Sequence, residues 1–319
     1  NHPLPVIRVN PHPSQKLPSR GDLQKPSPWA CALAMGLAMT SNPPPSTPAR
    51  TPPRILSIAG SDSSGGAGIQ ADIKTITMLG GYAMSAITAV TAQNTCGVTA
   101  IAPLAGEVVA QQITACLDDI GVDAIKLGML HDADIIAHTA RALEGVSAPI
   151  VLDPVMIATS GAALIAPDAI AAMREVLFPR ATLITPNLPE LGHLLGRTIE
   201  DSGQMGEAAE ELARLTGAAV LAKGGHTADA RVIDVLFMPG HLGEGERAVQ
   251  FDHARIDTPH THGTGCTLSS AIATLLGHGL PLEHAVRLGR QFVLEAIRAA
   301  PGFGAGNGPL GHQAVRKMD

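Results

Sequence analysis

Six residues near the end of the chain have the composition of an anion-binding turn. Residues 262–267 read HGTGCT and lead into an apolar stretch that is predicted to be helical. Small side chains allow successive backbone N–H groups to converge at a helix N-terminus, where they can hold a phosphoryl group and stabilise its charge during transfer. The backbone of Gly263, Thr264 and Gly265 is therefore a candidate anion hole.

Cys266 stands in the predicted first turn of the same helix. The helix dipole lowers the pKa of a thiol in this place, so Cys266 is a candidate acceptor for the proton of a substrate hydroxyl. The alternative is a packing role, because free cysteines often behave as small buried apolar residues. The spacing alone leaves both interpretations open.

Three charged residues follow predicted strands elsewhere in the chain. Asp153 and Glu190 come after apolar strands, and two carboxylates at neighbouring strand ends suit Mg²⁺ beside the phosphates of a nucleotide. Lys223 ends a further strand and could reach the same phosphates. Simpler interpretations exist for two of them: a helix N-terminus favours any carboxylate, and Lys223 could be an ordinary surface lysine.

A glycine-rich turn follows the first predicted strand and reads GSDSSGGAG over residues 60–68. It formally matches the dinucleotide-binding fingerprint, but that fingerprint requires an acidic residue about 20 positions further on, and residues 82–94 contain no Asp or Glu. The GxxxxGK[ST] P-loop pattern is also absent from the sequence. The turn is therefore either flexible backbone that closes on a small ligand or a plain glycine-rich turn.

The elements that would position these residues are short apolar strands that alternate with amphipathic helices. Strands are predicted at 55–59, 85–92, 124–127, 150–153, 183–185 and 219–223, with helices between them at 66–80, 106–119, 132–143, 167–178 and 204–216. An antiparallel pair at 231–238 and 248–256 and two helices at 264–277 and 282–300 follow. This pattern predicts an α/β fold with a central, mostly parallel sheet flanked by helices on both faces, and ligands at the carboxyl ends of the strands.

Composition narrows the range of partners. The 319 residues carry a formal net charge of −6, which argues against nucleic acid and against an anionic membrane surface. The four cysteines lie far apart and form no CxxC pair. This spacing argues against a disulfide framework and a zinc site, and it favours the reducing cytoplasm.

Residues 1–53 differ from the rest of the chain because they contain 13 of its 25 prolines. Such a segment cannot bury enough apolar surface to offset the entropy lost on ordering, so it is predicted to be a disordered leader. Its apolar run at 29–39 is too short to span a bilayer. The catalytic domain is therefore predicted to comprise residues 54–319.

Seven motifs within residues 54–315 resemble those of the hydroxymethylpyrimidine/phosphomethylpyrimidine kinases of the ribokinase-like superfamily. They are AGSD at 59–62, SGGAGIQAD at 64–72, AQNT at 92–95, KLGML at 126–130, NLPE at 187–190, KGGH at 223–226 and HGTGCT at 262–267. The resemblance is specific because seven separate motifs coincide in order. It implies a ribokinase-like fold and a homodimer.

The resemblance also implies roles for individual residues. Four of them are implied to contact the pyrimidine: Gly60, Asp72, Gln93 and Met129. Gln93 and Asp72 would hydrogen-bond to its aminopyrimidine edge. The other matches follow the chemistry above: Asp153 and Glu190 at Mg²⁺, Lys223 at the phosphates, and Cys266 where most related sugar kinases carry Asp.

The activity implied by the resemblance is transfer of phosphate from ATP to hydroxymethylpyrimidine, giving the monophosphate and then the pyrophosphate used in thiamine synthesis. The nearest alternative is a pyridoxal or pyridoxine kinase, whose substrate has a similar ring and hydroxymethyl group. A non-catalytic sensor of the pyrimidine phosphate is a second alternative. It would predict loss of Lys223, Glu190 or the anion hole, and the sequence retains all three.

Overall fold

The computed structural model describes residues 51–156, 164–199, 201–225, 230–242 and 245–315. Nearly all of the predicted leader lies outside these residues, so its disorder stays a prediction. Cys31 and His226 also lie outside them. Within the described residues the first regular element begins at Arg54, where the change in composition predicts the start of the catalytic domain.

Nine strands form one sheet among the described residues. They are β1 (Arg54–Asp62), β2 (Tyr82–Asn94), β3 (Gly97–Pro103), β4 (Ala124–Leu127), β5 (Ile150–Leu152), β6 (Leu183–Ile184), β7 (Ala219–Lys223), β8 (Arg231–Met238) and β9 (Arg247–Ala254). Their spatial order is β3-β2-β1-β4-β5-β6-β7-β8-β9. The strands from β2 to β7 in this order are parallel, and β3, β8 and β9 are antiparallel additions at the two edges. The predicted sheet and its antiparallel pair are confirmed.

Helices cover both faces of this sheet, as the alternating pattern predicts. They are α1 (Gly68–Met78), α2 (Gly106–Asp119), α3 (Ala133–Ala142), α4 (Pro167–Val176), α5 (Leu188–Leu195), α6 (Ser202–Thr216), α7 (Thr264–Gly277) and α8 (Leu282–Arg298). Helices α1, α7 and α8 pack on one face, and α2 to α6 pack on the other. No described helix combines the length and the apolar character needed to cross a bilayer.

The two apolar cores follow from the alternation of side chains along the strands. In β1, Ile55 points into the core under α1, α7 and α8, whereas Leu56 and Ile58 point into the core under α2 to α6. All of these side chains are fully buried. Central strands of this kind read as near-continuous apolar runs because both of their faces are covered.

The structure differs from the predicted elements mainly at one edge. Strand β3 does not appear among the predicted strands, because its residues are mostly exposed or only half-buried and give a weak apolar signal. The first helix begins at Gly68 instead of Gly66. Gly65, with a φ of 79°, has left-handed backbone that a right-handed helix cannot include, and Gly68, with a φ of 55°, marks the boundary at which the helix starts.

The parallel strands bring the candidate residues to one edge of the sheet. Asp62 ends β1 and Lys223 ends β7, while Asp153 immediately follows β5. The N-terminus of α7 lies at the same edge, because a Cβ added to Gly265 would contact both Asp153 and Lys223. These residues therefore lie together at the carboxyl ends of the parallel strands, where the sequence predicts a ligand site.

Candidate active site

The N-terminus of α7 forms the turn predicted as an anion hole. Gly263 is the N-cap, with a φ of 84°, and the helix begins at Thr264. A Cβ at position 263 would overlap the carbonyl oxygen of Gly66, so only glycine fits. The N–H of Thr264 donates to Thr261 O at 3.3 Å, and the N–H groups of Gly265 and Cys266 belong to the first turn, which has no intrahelical acceptors. The Gly265 and Cys266 amides are therefore available to an anion.

The Cys266 thiol is half-buried at this turn. Its pKa is raised to about 11, chiefly by burial, and the buried Asp72 and Asp153 carboxylates raise it further. The Lys126 ammonium and the Gly68 amide act in the opposite direction. The lowered pKa expected from the helix dipole is therefore not found in the unliganded site, because removal of the thiol from water raises the pKa.

An ion pair lies directly beside the anion hole. Lys223 Nζ is 2.8 Å from Asp153 Oδ1, and the Thr185 hydroxyl donates to the same oxygen at 2.9 Å. A Cβ at Gly265 would lie 3.2 Å from Asp153 Oδ2 and 3.4 Å from Lys223 Nζ. Burial disfavours the Lys223 cation, but Asp153 and Glu190 outweigh that effect and raise its pKa. Lys223 is thus a fixed positive charge beside the helix N-terminus.

Glu190 caps the start of α5 and also lies close to the Asp153–Lys223 pair. Its carboxylate accepts from Asn187 N at 2.8 Å, and the Asn187 side chain accepts from Glu190 N at 2.9 Å, which is a capping box at the start of α5. It also interacts with Lys223 and Asp153. Burial raises the pKa of Glu190 to about 7, with a further contribution from Asp153 and an opposing one from Lys223.

A small apolar cluster lies at the ends of β1, β2 and β4. A Cβ at Gly60 would overlap Met129 Cε, so these two predicted substrate contacts are in van der Waals contact with each other. Ala89, Met129 and Leu164 are buried in this cluster, and Val98, Ile101 and Val155 pack against it. Such a wall suits a flat heteroaromatic ring.

Gln93 and Asp72 have different surroundings. Gln93 is half-buried at the end of β2 near the glycine-rich turn, where its backbone N–H donates to the Ser63 hydroxyl at 2.8 Å. Asp72 is fully buried in α1, with Oδ2 bound to Lys126 at 2.9 Å and Oδ1 accepting from Ser270 at 2.6 Å. The role implied for Asp72 as an acceptor for the pyrimidine does not fit this geometry, because both carboxylate oxygens are engaged inside the protein.

The sequence as a whole matches the model of one protein family, described as phosphomethylpyrimidine kinase, over residues 62–311. This range contains every candidate site residue except Gly60. The chain belongs to the phosphomethylpyrimidine kinase family. The protein is therefore a phosphotransferase of the ribokinase-like fold.

Individual relatives agree with the family assignment. The chain is 44% identical over 266 residues to the hydroxymethylpyrimidine/phosphomethylpyrimidine kinase of Bacillus subtilis, covering 83% of this chain and 96% of that protein. It is 45% identical over 296 residues to the thiamine biosynthesis bifunctional protein ThiED of Geobacter sulfurreducens, covering 89% of this chain but only 59% of that protein.

One solved structure with a similar fold is that of a kinase named for a different substrate, pyridoxal. The pyridoxal kinase of Staphylococcus aureus, in complex with AMP-PCP and pyridoxal, superposes with a TM-score of 0.75 at 32% identity, covering 84% of this chain and 96% of that chain. AMP-PCP is an analogue of ATP. The similarity therefore supports ATP as the phosphate donor of this protein.

The two carboxylates fit a magnesium ion in their donor chemistry. Mg²⁺ usually binds proteins through one or two carboxylates and completes its octahedron with water and substrate phosphates. Asp153 lies at the helix N-terminus that would hold the phosphates, and its carboxylate interacts with that of Glu190. In the described part of the chain no three His, Cys, Asp or Glu side chains form a metal cluster.

Two polar residues of the site, Asp62 and His262, are not among the site residues that the sequence predicts. Asp62 and His262 are both buried and lie 2.9 Å apart, where they link the two glycine-rich turns. Both belong to quoted motifs, AGSD and HGTGCT, so a signal was present. Their pairing could not be predicted, because 200 residues separate them in the chain.

Proposed function

We propose that this protein uses ATP to phosphorylate the hydroxymethyl group of hydroxymethylpyrimidine and then phosphorylates the resulting monophosphate to the pyrophosphate. The observation that carries the proposal is the convergence at Gly265. The anion-hole backbone lies against the Asp153–Lys223 pair and is followed directly by the Cys266 thiol. A phosphoryl group at this point meets backbone donors, a cation and a proton acceptor together.

Each group of residues in the site has its own role in the proposed reaction. The backbone amides of the Gly263–Cys266 turn hold the transferring phosphoryl group, and the Lys223 ammonium neutralises charge on it. Asp153 and Glu190 would hold Mg²⁺, which neutralises and orients the donor phosphates when bound. Gly60 and Met129 form the floor against which the pyrimidine lies, and Gln93 pairs with its polar edge through the side-chain amide.

Cys266 orients the attacking hydroxyl and takes or passes on its proton. Because the pKa of the thiol is raised by burial, only a small fraction is thiolate in the unliganded site at neutral pH. Phosphoryl transfer proceeds through a loose transition state and depends more on positioning and electrostatics than on a strong base. A weakly ionised but well placed thiol satisfies that requirement.

The test is a phosphorus NMR assay with the protein, ATP, Mg²⁺ and hydroxymethylpyrimidine. We expect the monophosphate to appear first and the pyrophosphate to follow under excess ATP. Accumulation of the monophosphate without further reaction contradicts the second step. Absence of any phosphorylated pyrimidine contradicts the proposed substrate, and a parallel sample that lacks Mg²⁺ tests the proposed metal requirement.

A pyridoxal kinase activity is the second candidate, favoured by the structural similarity to the Staphylococcus aureus pyridoxal kinase. The apolar cluster at Met129 would accept either ring, since both are flat and carry a hydroxymethyl group. A comparison of kcat/KM for the two substrates under identical conditions separates the candidates. We expect hydroxymethylpyrimidine to be preferred, and a higher kcat/KM for pyridoxal would reverse the assignment.

We also propose a homodimer that works in the cytoplasm. The described cysteines, Cys96, Cys116 and Cys266, are all free thiols, which agrees with a reducing compartment. The dimer is an expectation from the family resemblance. Sedimentation velocity of the full chain tests it, with a mass of two chains expected and a mass of one chain contradicting it.

A further inference from the structure

The Asp62 carboxylate is the organising group of the first glycine-rich turn. Asp62 is buried at the end of β1, and its side chain accepts from Ser64 N at 2.8 Å, Gly66 N at 3.0 Å and Ala67 N at 2.8 Å. The Ser64 hydroxyl also donates to it at 2.8 Å. A turn rich in glycine has little intrinsic preference for one shape, so these bonds to a single carboxylate determine its shape.

The same carboxylate also binds the second turn. His262 Nε2 lies 2.9 Å from Asp62 Oδ2, and His262 is buried immediately before the N-cap Gly263. The imidazole is packed so closely that a Cβ at Gly66 would overlap its Cδ2 atom. The backbone N–H of His262 is held by Gly308 O at 3.1 Å. One side-chain pair therefore joins the two turns.

In the proposed reaction the first turn lies at the substrate whose hydroxyl attacks, and the second turn lies at the phosphoryl group. The first includes Gly60 at the pyrimidine floor and Gly68, whose amide interacts with the Cys266 thiol. The second supplies the anion hole. In-line transfer needs the attacking oxygen and the phosphoryl group within about 3–3.5 Å, and a displacement of about 1 Å can cost about 10²-fold in rate.

We infer that the Asp62–His262 pair is a positioning pair that sets the distance between the substrate turn and the anion hole during phosphoryl transfer. The inference rests on the proposed function. Neither side chain is placed against the reacting atoms, and the pair acts through the turns that it joins. Its loss should therefore lower kcat more than it weakens the binding of either substrate.

Four variants test this role. His262→Ala removes the bond to Asp62, His262→Gln keeps an N–H donor at nearly the same reach, and His262→Asn keeps a donor on a shorter side chain. His278→Ala is the matched control, because His278 Nε2 makes a bond of the same 2.9 Å length to Leu79 O at the opposite end of α7. All are measured well below their melting temperatures.

We expect kcat to fall about 10- to 100-fold in His262→Ala, with KM for hydroxymethylpyrimidine and ATP changed by a small factor. His262→Gln should recover most of kcat, His262→Asn should lie between, and His278→Ala should keep wild-type kcat. The inference is overturned if His262→Ala retains wild-type kcat or if His278→Ala loses as much. If His262→Ala does not fold, equal kcat values for the Gln and Asn variants overturn it.

Alkylation by iodoacetamide, followed at each cysteine by mass spectrometry, tests the same inference without relying on turnover. Separation of the turns should expose the Cys266 thiol and speed its alkylation several-fold in His262→Ala, while Cys96 and Cys116 react as before. His278→Ala should leave all three rates unchanged. An unchanged rate at Cys266 in His262→Ala contradicts the inference even if the wild-type protein phosphorylates a different substrate, so failure of the proposed function is distinguished from failure of the pair.

Discussion

Two aspartate–lysine pairs of almost identical length lie close enough to the Cys266 thiol to interact with it. Lys126 is 2.9 Å from Asp72, and Lys223 is 2.8 Å from Asp153. Both side chains of the first pair have 0% of their surface exposed, whereas Lys223 keeps 15% of its surface exposed. Their chemistry is the same, and their access to a ligand is different.

Access decides what each pair can do. The Asp72–Lys126 pair is sealed, and its carboxylate also accepts from Ser57 and Ser270, so its charges are satisfied inside the protein. Burial disfavours the Lys126 cation, but Asp72 outweighs that effect and raises its pKa. The Asp153–Lys223 pair is open at the lysine end, so Lys223 can turn toward a phosphate. The first pair is structural, and the second can take part in the reaction.

The Cys266 thiol offers the largest expected effect, because the charges of both pairs act on it. If Cys266 accepts the proton as proposed, Cys266→Ala should lower kcat by about 10²- to 10⁴-fold, the usual value of a positioned general base. KM should change far less, since the contacts to the pyrimidine remain. Steady-state kinetics and thermal melting of purified protein measure both consequences.

Cys266→Asp is the matched variant, because related sugar kinases carry a carboxylate at this position. It should retain measurable activity where the alanine variant does not. If Cys266→Ala keeps near wild-type kcat and only melts earlier, the thiol is a packing residue. The backbone of α7 is then the main catalytic element.

Lys126→Met should have the largest effect on stability. It leaves the Asp72 carboxylate buried without its cation, and breaking a buried pair in this way typically costs about 3–5 kcal/mol of the free energy of unfolding. Denaturation by urea measures the loss. The double variant Lys126→Met with Asp72→Asn should regain part of it, because no unpaired charge remains. A loss below about 1 kcal/mol in the single variant would show that the pair is not sealed.

Lys223→Met should have its main effect on kcat, whereas Lys126→Met has its main effect on stability. Removal of one charged donor from a transition-state site typically lowers kcat about 10²- to 10³-fold. The free energy of unfolding should change less than in Lys126→Met, because the Asp153–Lys223 pair is open to water at its lysine end. Lys223→Arg keeps the charge and should fall between the wild type and Lys223→Met in kcat. Equal destabilisation by Lys126→Met and Lys223→Met would contradict the distinction between the two pairs.

His312 is a third buried titratable side chain. In contrast to the two aspartate–lysine pairs, the charge that acts on it, Lys74, has the same sign as a protonated histidine. His312 Nε2 lies 2.8 Å from the Thr267 hydroxyl, and burial together with Lys74 lowers the pKa of His312 to about 4. The unfolded chain takes up a proton near pH 6.5 and the folded chain does not until about pH 4. The contribution of His312 to stability is therefore complete above pH 6.5 and is lost as the pH falls toward 4.

Urea denaturation at pH 7.5 and at pH 5 tests this dependence. The wild type should lose about 2 kcal/mol more of its free energy of unfolding between these values than His312→Gln, which cannot titrate. His284→Gln, at an exposed position of α8, controls for the substitution itself. The same pH dependence in the wild type and in His312→Gln would show that His312 is not held neutral.

The sequence was sufficient to predict the sheet, because strands buried on both faces are continuous apolar runs. Helices α2 and α7 begin and end at the predicted residues. Strand β3 was missed because an edge strand with one partner and little burial resembles a loop in composition. The convergence of Asp153, Lys223 and Gly265 was also predictable, because parallel strands end at one edge of a sheet.

The errors concern contacts between distant parts of the chain. The family resemblance implies a substrate contact for Asp72, whereas its side chain binds Lys126 and Ser270, 54 and 198 residues away. No local pattern in the sequence reveals such bonds. The pKa of Cys266 was misjudged for a related reason. The helix dipole can be inferred from a short segment, whereas burial depends on everything that packs around the thiol.

Three hydrogen bonds join the region of α1 to α7 or to the residues that flank it: His262 with Asp62, Ser270 with Asp72, and His278 with Leu79, each across about 200 residues. During synthesis on the ribosome, the segment around α1 must therefore wait until most of the chain has emerged before its partners exist. Contacts of such long range slow folding and leave apolar surface exposed in the meantime. A nascent chain interrupted before residue 262 presents the uncovered face of its sheet to chaperones and proteases. It also lacks the anion hole and Cys266.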